Sequence, residues 1–229
     1  MAKTLIFIPT YNEGDNVGPM CKELDALGLD ADLVVLDDNS PDGTGALLDE
    51  LSRIYPRLRV IHRTGVRGIG SAHLDGIAYA YDHGYDKLVT LDCDFTHSPR
   101  DIPMMLERSS GAEITVASRY LEQDSLPGWS VFRKSLTRLG HFLTENLLGI
   151  GNDATGAFRV YDLHRIPRGI FELVTAHGYA FFFQSLLSFI RTGWVSSMSL
   201  HRESCRYPGG MWPVLPHLSG RTCAGIRSG

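Results

Sequence analysis

Residues 4–13, TLIFIPTYNE, begin with an apolar run that ends at a proline and gives way to polar side chains. Apolar runs of this length, rich in β-branched and aromatic residues and bounded by turn residues, are typical of buried strands. Similar runs follow at residues 33–36, 58–62, 88–91 and 114–118. Together with the first run, at residues 4–8, they predict a sheet whose first strand carries a polar loop at its carboxyl end.

Helix candidates alternate with these strands, at residues 16–27, 44–53, 70–83 and 98–108. Strands and helices in alternation favour a mostly parallel sheet flanked by helices on both faces, in which ligands bind beyond the carboxyl ends of the strands. The expected fold class is therefore α/β. After residue 202 the chain is rich in Gly, Pro and Arg without periodicity, so we expect one domain at 1–202 and a divergent, poorly ordered tail at 203–229.

Composition and charge exclude several classes of protein. A chain of 229 residues that is 43% hydrophobic can bury one substantial core, and a net charge of −4 does not suit a protein that coats nucleic acid. The four cysteines form no CxxC pair, which argues against a zinc knuckle or a disulfide framework and favours a reducing, cytoplasmic compartment. We expect neither a signal peptide nor a membrane span, since the most apolar window, 179–190, is short.

Two polar clusters follow the first two predicted strands. In PTYNE, at 9–13, the ring of Tyr11 and the carboxylate of Glu13 could stack on and hydrogen-bond a nucleotide base. An ordinary turn before a helix is an equally good interpretation of this cluster. In DDNSPDGT, at 37–44, three acids lie close together and call for a cation or donor partner, yet Ser-Pro-Asp-Gly is also a strong turn signal. Taken alone, each cluster is ambiguous.

A third cluster, Asp92-Cys93-Asp94, follows an apolar strand. Carboxylates at positions i and i+2 that leave a strand can converge on one hard divalent cation, which binds oxygen ligands and bridges to substrate phosphates. A solvated turn is the alternative. The strand before the cluster has the continuous apolar pattern of a fully buried strand, which favours the metal site.

The order of these clusters resembles that of the family-two inverting glycosyltransferases with the GT-A (Rossmann-like) fold, and among them the dolichol-phosphate (polyprenol-phosphate) mannose synthases. The resemblance covers about residues 4–202. The matching elements are IPTYNE at 8–13, DDNSPDGT at 37–44, RGIGSAHLDG at 67–76, DCDFTH at 92–97, ASRY at 117–120, TGAFRVY at 155–161 and GYAF at 178–181. Six motifs in the family's order, with TGAFRVY and GYAF counted as one, are far more specific than any one of them.

The resemblance implies a role for each matched residue. The positions that hold the nucleotide base and ribose match Pro9, Tyr11, Glu13, Leu36 and Asp38. The Asp-x-Asp element, which contacts the ribose and ligates Mg²⁺ or Mn²⁺ on the diphosphate, matches Asp92, Cys93 and Asp94. The arginines that reach the donor or acceptor phosphate match Arg119 and Arg202, which form the implied catalytic set together with Asp94.

Three further features bear on the chemistry. Gly68-Ile69-Gly70 could be mistaken for a phosphate loop, but no GK[ST] follows, so we interpret it as close packing at the start of a helix. Gln184 stands where the resemblance leads us to expect a glutamate, and an amide cannot act as a base. Cys93 stands where alanine is usual, which we interpret as a tolerated small side chain rather than a reactive thiol.

The implied reaction is transfer of a hexose, with mannose from GDP-mannose favoured, to a polyprenyl or dolichyl phosphate with inversion. A phosphate monoester has a second pKa of about 6 and is already anionic near neutral pH, so it needs no base. Two alternatives stay open: a UDP-sugar-dependent transferase to a lipid phosphate or saccharide, and a catalytically impaired sugar-nucleotide-binding subunit. The second arises because position 184 is a glutamine and because the family's Gly-x-Ser-Lys lysine is absent after Arg202, where Arg206 is the nearest basic residue.

The acceptor side is predicted from residues 131–148, which place apolar side chains at helical spacing and Arg133, Lys134 and Arg138 on other faces. Such a helix either lies in a membrane surface or packs on the core with a solvated basic face. A polyprenyl-phosphate acceptor favours the first arrangement and a peripheral location at the cytoplasmic face of a membrane. A membrane-anchoring subunit is a further candidate partner. The apolar stretch at 181–183 is expected to belong to the core.

Overall fold

A computed structural model of the chain describes residues 2–64, 68–118, 156–193 and 198–202, with backbone alone at residues 118 and 198–202. The described strands are β1 Thr4–Thr10, β2 Ala31–Asp37, β3 Leu58–His62, β4 Lys87–Thr90, β5 Ile114–Ser118, β6 Arg159–Asp162 and β7 Met198–Arg202. The described α-helices are α1 Gly14–Ala26, α2 Thr44–Ile54, α3 Ile69–Asp82, α4 Ile102–Arg108 and α5 Ala180–Thr192. Short 3₁₀ helices lie at Pro99–Asp101 and Arg168–Leu173.

The described strands form one sheet in the order β3-β2-β1-β4-β6-β5-β7. β1 pairs in parallel with β2 on one side and with β4 on the other, and β2 pairs in parallel with β3. β6 runs antiparallel to both β4 and β5, whereas β5 and β7 are parallel. The predicted mostly parallel α/β fold is confirmed, and the antiparallel β6 is an addition to it.

The core lies on both faces of this sheet because β1 alternates between them with the period of two that a strand imposes. Leu5 and Phe7 belong to one apolar cluster, whereas Ile6 and Ile8 belong to the other. Helices α1, α2 and α4 supply buried side chains to the cluster that contains Ile6, and α3 and α5 supply the cluster that contains Phe7. Burial on both faces explains why the strand sequence is continuously apolar.

Helix α3 packs very closely on β1, and α5 packs beside it. A side chain at Gly76 would place its Cβ 2.6 Å from the ring of Phe7, so only glycine fits at this crossing. Phe181 and Phe182 of α5 are buried in the same cluster as Phe7, which confirms that residues 181–183 belong to the core. None of the described helices is both long and apolar enough to cross a membrane.

The elements missed from the sequence lie in the second half of the chain. β6 is four residues long and contains the buried Arg159, so it has no apolar run to predict it. The guanidinium of Arg159 is satisfied by donating to the carbonyls of Gly156 and Phe182 and to the hydroxyl of Ser185. The predicted basic helix at 131–148 and the predicted tail at 203–229 lie outside the described residues.

Candidate active site

A cleft of about 550 Å³ opens at the carboxyl ends of β1, β2 and β4. β1 pairs with β2 on one side, and on its other side with β4, which the chain reaches by crossing back from β3. The cleft therefore lies at the switch point where open α/β sheets bind ligands. The predicted residues that line it are Pro9, Tyr11, Glu13, Asp38, Asp92, Cys93 and Asp94. Two other segments contribute to its walls, residues 68–72 and 178–179.

Three predicted site residues are not among the described side chains that line this cleft. Leu36 is fully buried in the apolar core and does not line it, and its carbonyl accepts a hydrogen bond from the hydroxyl of Thr10 at 3.1 Å. Arg119 lies outside the described residues. Arg202 is described by its backbone alone, at the end of β7 and in register with Ser118 of β5. The roles assigned to these three residues stay predictions.

The loop after β1 is held by side chains of the second acidic cluster. The hydroxyl of Ser40 accepts from the backbone N–H of Asn12 at 3.0 Å, and the hydroxyl of Thr44 accepts from that of Glu13 at 3.0 Å. A carboxylate oxygen of Asp42 accepts from the N–H of Gly14 at 3.1 Å, at the start of α1. Hydrogen bonds from Thr44, and then from Gly14, lower the pKa of the Asp42 carboxyl. This part of the cluster therefore stabilises turns, as its Ser-Pro-Asp-Gly pattern indicates.

Asp38 is the member of that cluster that lines the cleft, and Arg63 holds it in place. The guanidinium of Arg63 donates from Nε to Asp38 Oδ1 at 3.1 Å and pairs from Nη2 with Oδ2 at 2.8 Å. The N–H of Gly68 donates to the same Oδ2 at 3.0 Å, and both charged side chains are only about a tenth exposed. Arg63 also contacts Ser71 and Asp75 on α3. A bidentate ion pair of this kind fixes the carboxylate in one orientation.

Sequence reasoning missed Arg63, although a signal was present. It follows β3 directly, and β3 is the neighbour of the strand that ends in the acidic cluster. The carboxyl ends of adjacent parallel strands meet at one edge of a sheet, so an arginine at that position was a natural partner for the acids after β2.

The third cluster is held by a tight turn after β4. Asp94 is exposed, and one of its carboxylate oxygens accepts from the N–H of Thr96 at 2.9 Å. Phe95 between them has φ +57°, a left-handed conformation that costs a non-glycine residue about 1–2 kcal/mol. Cys93 is 3% exposed, and burial, followed by the negative charge of Glu13, raises the pKa of its thiol. The burial agrees with the interpretation of Cys93 as a small side chain, and its lack of reactivity stays a prediction.

Negative charge is crowded in this cleft. Burial raises the pKa of the Glu13 carboxyl, the nearby charges of Asp94 and Asp42 raise it further, and a hydrogen bond from Asn16 acts in the opposite direction. Asn16 Nδ2 donates this bond to Glu13 Oε2 at 2.7 Å. Ionised acids that raise one another's pKa values are stabilised by a cation or by donors on a ligand.

The carboxylates fit a divalent cation that is shared with a ligand. Among the described residues there is no group of three or more His, Cys, Asp or Glu side chains arranged to hold a metal ion. Asp92 and Asp94 both line the cleft and offer the hard oxygen donors that Mg²⁺ and Mn²⁺ prefer. Mg²⁺ is often bound by one or two carboxylates, with water and substrate phosphates as the other ligands, and two carboxylates suffice for such a site.

The glycines at the start of α3 are used for packing, as predicted. The backbone N–H groups of Gly70 and Ser71 donate to the carbonyl of His177, at 2.9 and 3.2 Å. A Cβ at Gly70 would lie 2.7 Å from the carbonyl oxygens of Ala176 and Gly178, so the position excludes a side chain. These two N–H groups are bonded within the protein, so they do not form a phosphate loop.

The family model of Glycosyl transferase family 2 matches residues 5–164. Polyprenol monophosphomannose synthase of Mycolicibacterium smegmatis is 35% identical over 182 residues, which are 78% of this chain and 69% of that protein. Undecaprenyl-phosphate mannosyltransferase of Micrococcus luteus is 31% identical over 180 residues, which are 78% of this chain and 74% of that protein.

Solved structures share the fold at lower identity. Glucosyl-3-phosphoglycerate synthase from Mycobacterium tuberculosis, in complex with Mn²⁺, UDP and glucosyl-3-phosphoglycerate, is 19% identical with a TM-score of 0.62, over 90% of this chain and 73% of that one. The mannosyltransferase PcManGT from Pyrobaculum calidifontis, in complex with GDP-Man and Mn²⁺, is 15% identical with a TM-score of 0.52, over 88% of this chain and 55% of that one. With this fold, these motifs and the match over residues 5–164, the chain belongs to glycosyl transferase family 2.

Proposed function

We propose that this chain is a glycosyltransferase that moves mannose from a nucleoside-diphosphate sugar to a polyprenyl phosphate. The observation that carries the proposal is a cleft that gathers Asp38, Asp92 and Asp94 at the switch point, in a chain 35% identical to a polyprenol monophosphomannose synthase. Identity at this level over most of both chains supports a common substrate class, as does the undecaprenyl-phosphate mannosyltransferase at 31%.

The donor would bind with its base near β1 and its diphosphate near β4. The ring of Tyr11 is 47% exposed and offers a flat face for stacking, and Asp38 is already oriented by Arg63. Asp92 and Asp94 would hold Mg²⁺ or Mn²⁺. When bound, such an ion supplies positive charge that stabilises the charge developing on the leaving diphosphate. GDP-mannose is the favoured donor.

A phosphate acceptor is proposed from the relatives, which are named as a polyprenol monophosphomannose synthase and an undecaprenyl-phosphate mannosyltransferase. A polyprenyl phosphate needs no base because it is anionic near neutral pH. Arg119 and Arg202 are proposed to hold its phosphate in line for a single displacement with inversion.

A panel of acceptors and donors tests this function. GDP- and UDP-sugars are each assayed with a short polyprenyl phosphate, the matching free polyprenol and a simple sugar. We expect GDP-mannose and the phosphate to give the fastest turnover, with a rate that falls on acidification through about pH 6 as the acceptor takes up its second proton. A faster reaction with the alcohol or the sugar would indicate a hydroxyl-directed transferase instead.

Two other results would select the alternatives. A UDP-sugar as the best donor would replace GDP-mannose and leave the phosphate acceptor in place. Tight binding of a nucleotide sugar without transfer or metal-dependent hydrolysis would indicate a sugar-nucleotide-binding subunit.

The lipid acceptor also supports a peripheral contact with the cytoplasmic face of a membrane, through the basic segment at 131–148. Replacing Arg133, Lys134 and Arg138 together by Gln is expected to weaken salt-dependent binding to anionic liposomes. Sedimentation with anionic and neutral liposomes measures this binding. Equal sedimentation of the wild type and the variant would assign the segment to the core. A membrane-anchoring subunit would instead be detected as a partner that restores membrane binding to the variant.

A further inference from the structure

One wall of the cleft is an irregular loop that comes from far along the chain. Residues 174–178 connect the 3₁₀ helix Arg168–Leu173 to α5, and Gly178 and Tyr179 line the cleft. Val174 is buried, but Thr175, His177 and Gly178 are exposed. Side-chain packing therefore holds only the first residue of the loop, and the remaining residues need hydrogen bonds to keep one conformation.

The side chain of Gln184, in the second turn of α5, supplies these hydrogen bonds. Its amide oxygen accepts from the backbone N–H of Ala176 at 2.8 Å and from that of Thr175 at 3.2 Å. Its amide nitrogen donates to the hydroxyl of Thr175 at 3.2 Å and to the carbonyl of Leu173 at 3.4 Å. One side chain thus uses both its acceptor and its donor to fix the loop.

The loop in turn fixes the start of α3. The carbonyl of His177 accepts from the N–H groups of Gly70 and Ser71, which have no partner within the helix. A Cβ at Gly68 would lie 2.6 Å from the same carbonyl oxygen, so loop and helix are in close contact. The N–H of Gly68 donates to Asp38 at 3.0 Å. A continuous set of contacts therefore leads from Gln184 to a carboxylate of the cleft.

We infer that Gln184 is a positioning residue for nucleotide-sugar binding, which it supports by holding the 174–178 loop against the start of α3. The inference rests on the proposed function. Gln184 does not line the cleft, and both ends of its amide are bonded to the loop. A glutamate at this position could accept from the same two backbone N–H groups. Its carboxylate would serve the loop rather than act as a base.

Three variants test the inference. Gln184→Leu removes all the bonds at nearly constant volume, and Gln184→Glu keeps the two backbone N–H contacts. Thr192→Val is the control, because it removes a hydroxyl that donates to backbone carbonyls eight residues further along the same helix. Each protein is titrated with GDP and with UDP in the presence of Mn²⁺ by calorimetry. Turnover is then measured to separate kcat from the donor KM.

The loop is expected to lose most of its ordered population in Gln184→Leu. If the competent arrangement falls to about a tenth of the molecules, the apparent nucleotide Kd and the donor KM rise about tenfold. At saturating donor, kcat changes less than about threefold, since donor binding restores the loop. Gln184→Glu stays within about threefold of the wild type and gains no activity with free polyprenol, and Thr192→Val binds as the wild type does.

Hydrogen exchange gives a readout that does not depend on activity. The amides of Gly70, Ser71, Thr175 and Ala176 should exchange faster in Gln184→Leu, whereas those of α1 keep their protection. Unchanged exchange and nucleotide affinity in Gln184→Leu would overturn the inference alone. Activity of Gln184→Glu with the free alcohol would also overturn it, because position 184 would then act as a base. If the wild type binds neither nucleotide, both the proposed function and the inference about Gln184 are overturned.

Discussion

The two ends of the sheet carry cavities of similar size, one lined by charges of both signs and the other by acids. At the amino end, a cavity of about 430 Å³ is lined by Lys3, Asp30, Asp32 and Arg57. Charges of opposite sign meet there, as in the Arg57–Asp30 pair at 2.9 Å. At the carboxyl end, the cleft of about 550 Å³ is lined by acids, and burial, with the charges of Asp94 and Asp42 in addition, raises the pKa of Glu13.

The volumes hardly distinguish the two cavities, whereas the excess of negative charge at the carboxyl end does. The Arg57–Asp30 pair is more than half exposed on both sides and contributes about 0–1 kcal/mol to stability. Acids gathered in a cleft are unfavourable for folding, so their presence points to a ligand that they serve. The ends can be compared directly by making the same substitution at each.

The largest difference is expected for removal of one carboxylate. Asp94→Asn should lower turnover by about a thousandfold, because a weakened metal site removes several kcal/mol of charge stabilisation from the transition state. Asp30→Asn at the amino end should leave turnover unchanged. Initial rates with and without chelator measure both, and circular dichroism checks the fold. Full activity of Asp94→Asn, or of the wild type in excess chelator, would contradict the metal assignment.

The ion pairs at the two ends should differ in their contribution to stability. In Asp38→Ala the nearly buried Arg63 loses its bidentate partner. Removing one member of a buried ion pair costs about 3 kcal/mol of unfolding free energy. Asp30→Ala should cost less than about 1 kcal/mol, since that pair is exposed. Urea denaturation of the two variants gives both values. Equal denaturation midpoints would show that the Arg63–Asp38 pair contributes no more to stability than the exposed Arg57–Asp30 pair does.

The close packing of loops at the carboxyl end predicts opposite effects at two helical glycines. Gly70→Ala should destabilise the protein by about 1–3 kcal/mol, because its Cβ would lie 2.7 Å from two carbonyl oxygens. Gly169→Ala, at an exposed position of the 3₁₀ helix Arg168–Leu173, meets nothing within 4 Å and should stabilise the protein by up to about 1 kcal/mol. Thermal unfolding measures both shifts. A stable Gly70→Ala protein would mean that the loop moves away from α3 easily.

The smallest effect concerns pH and Glu13. Because its folded-state pKa is raised above 4.5, ionisation of Glu13 lowers the stability of the fold as pH rises from about 4.5 through the folded pKa. Glu13→Gln should therefore unfold at a slightly higher temperature than the wild type at pH 7, and this gain should vanish below pH 4.5. The control is Glu50→Gln on the exposed side of α2. A gain that persists at pH 4 would rule out ionisation as its cause.

The sequence predicted most of the first half of the fold, because β1, β2 and β4 are largely apolar strands buried on both faces. The observed β1 extends only two residues beyond the predicted 4–8, and β3 and β5 agree at both ends. The family and the fold class are confirmed. β6 was missed because the buried Arg159 interrupts any apolar pattern. The carbonyls of Gly156 and Phe182 that accept its hydrogen bonds are brought to it by the tertiary structure.

The site was predicted in its composition but not in its division of labour. Of the acids at 37–42, Asp38 lines the cleft, whereas Asp42 holds the neighbouring loop. Both are aspartates of one short motif, so the residue type does not separate their roles. Arg63 and the 174–178 loop were missed because their roles arise from tertiary contacts. Gln184 was recognised as a departure from the family pattern, but its contacts with Thr175 and Ala176 required the structure.

The contact of α5 with α3 has a consequence for synthesis of the chain on the ribosome. The strands that most of the acids follow are synthesised first. Gly178, which lines the cleft, and the aromatic side chains of α5 are synthesised late. Until then, the face of α3 that holds Ile77 and the buried His73 has no cover from Phe181 and Phe182. A nascent chain halted before α5 would expose this apolar face and be prone to aggregation, although its acidic motifs are complete.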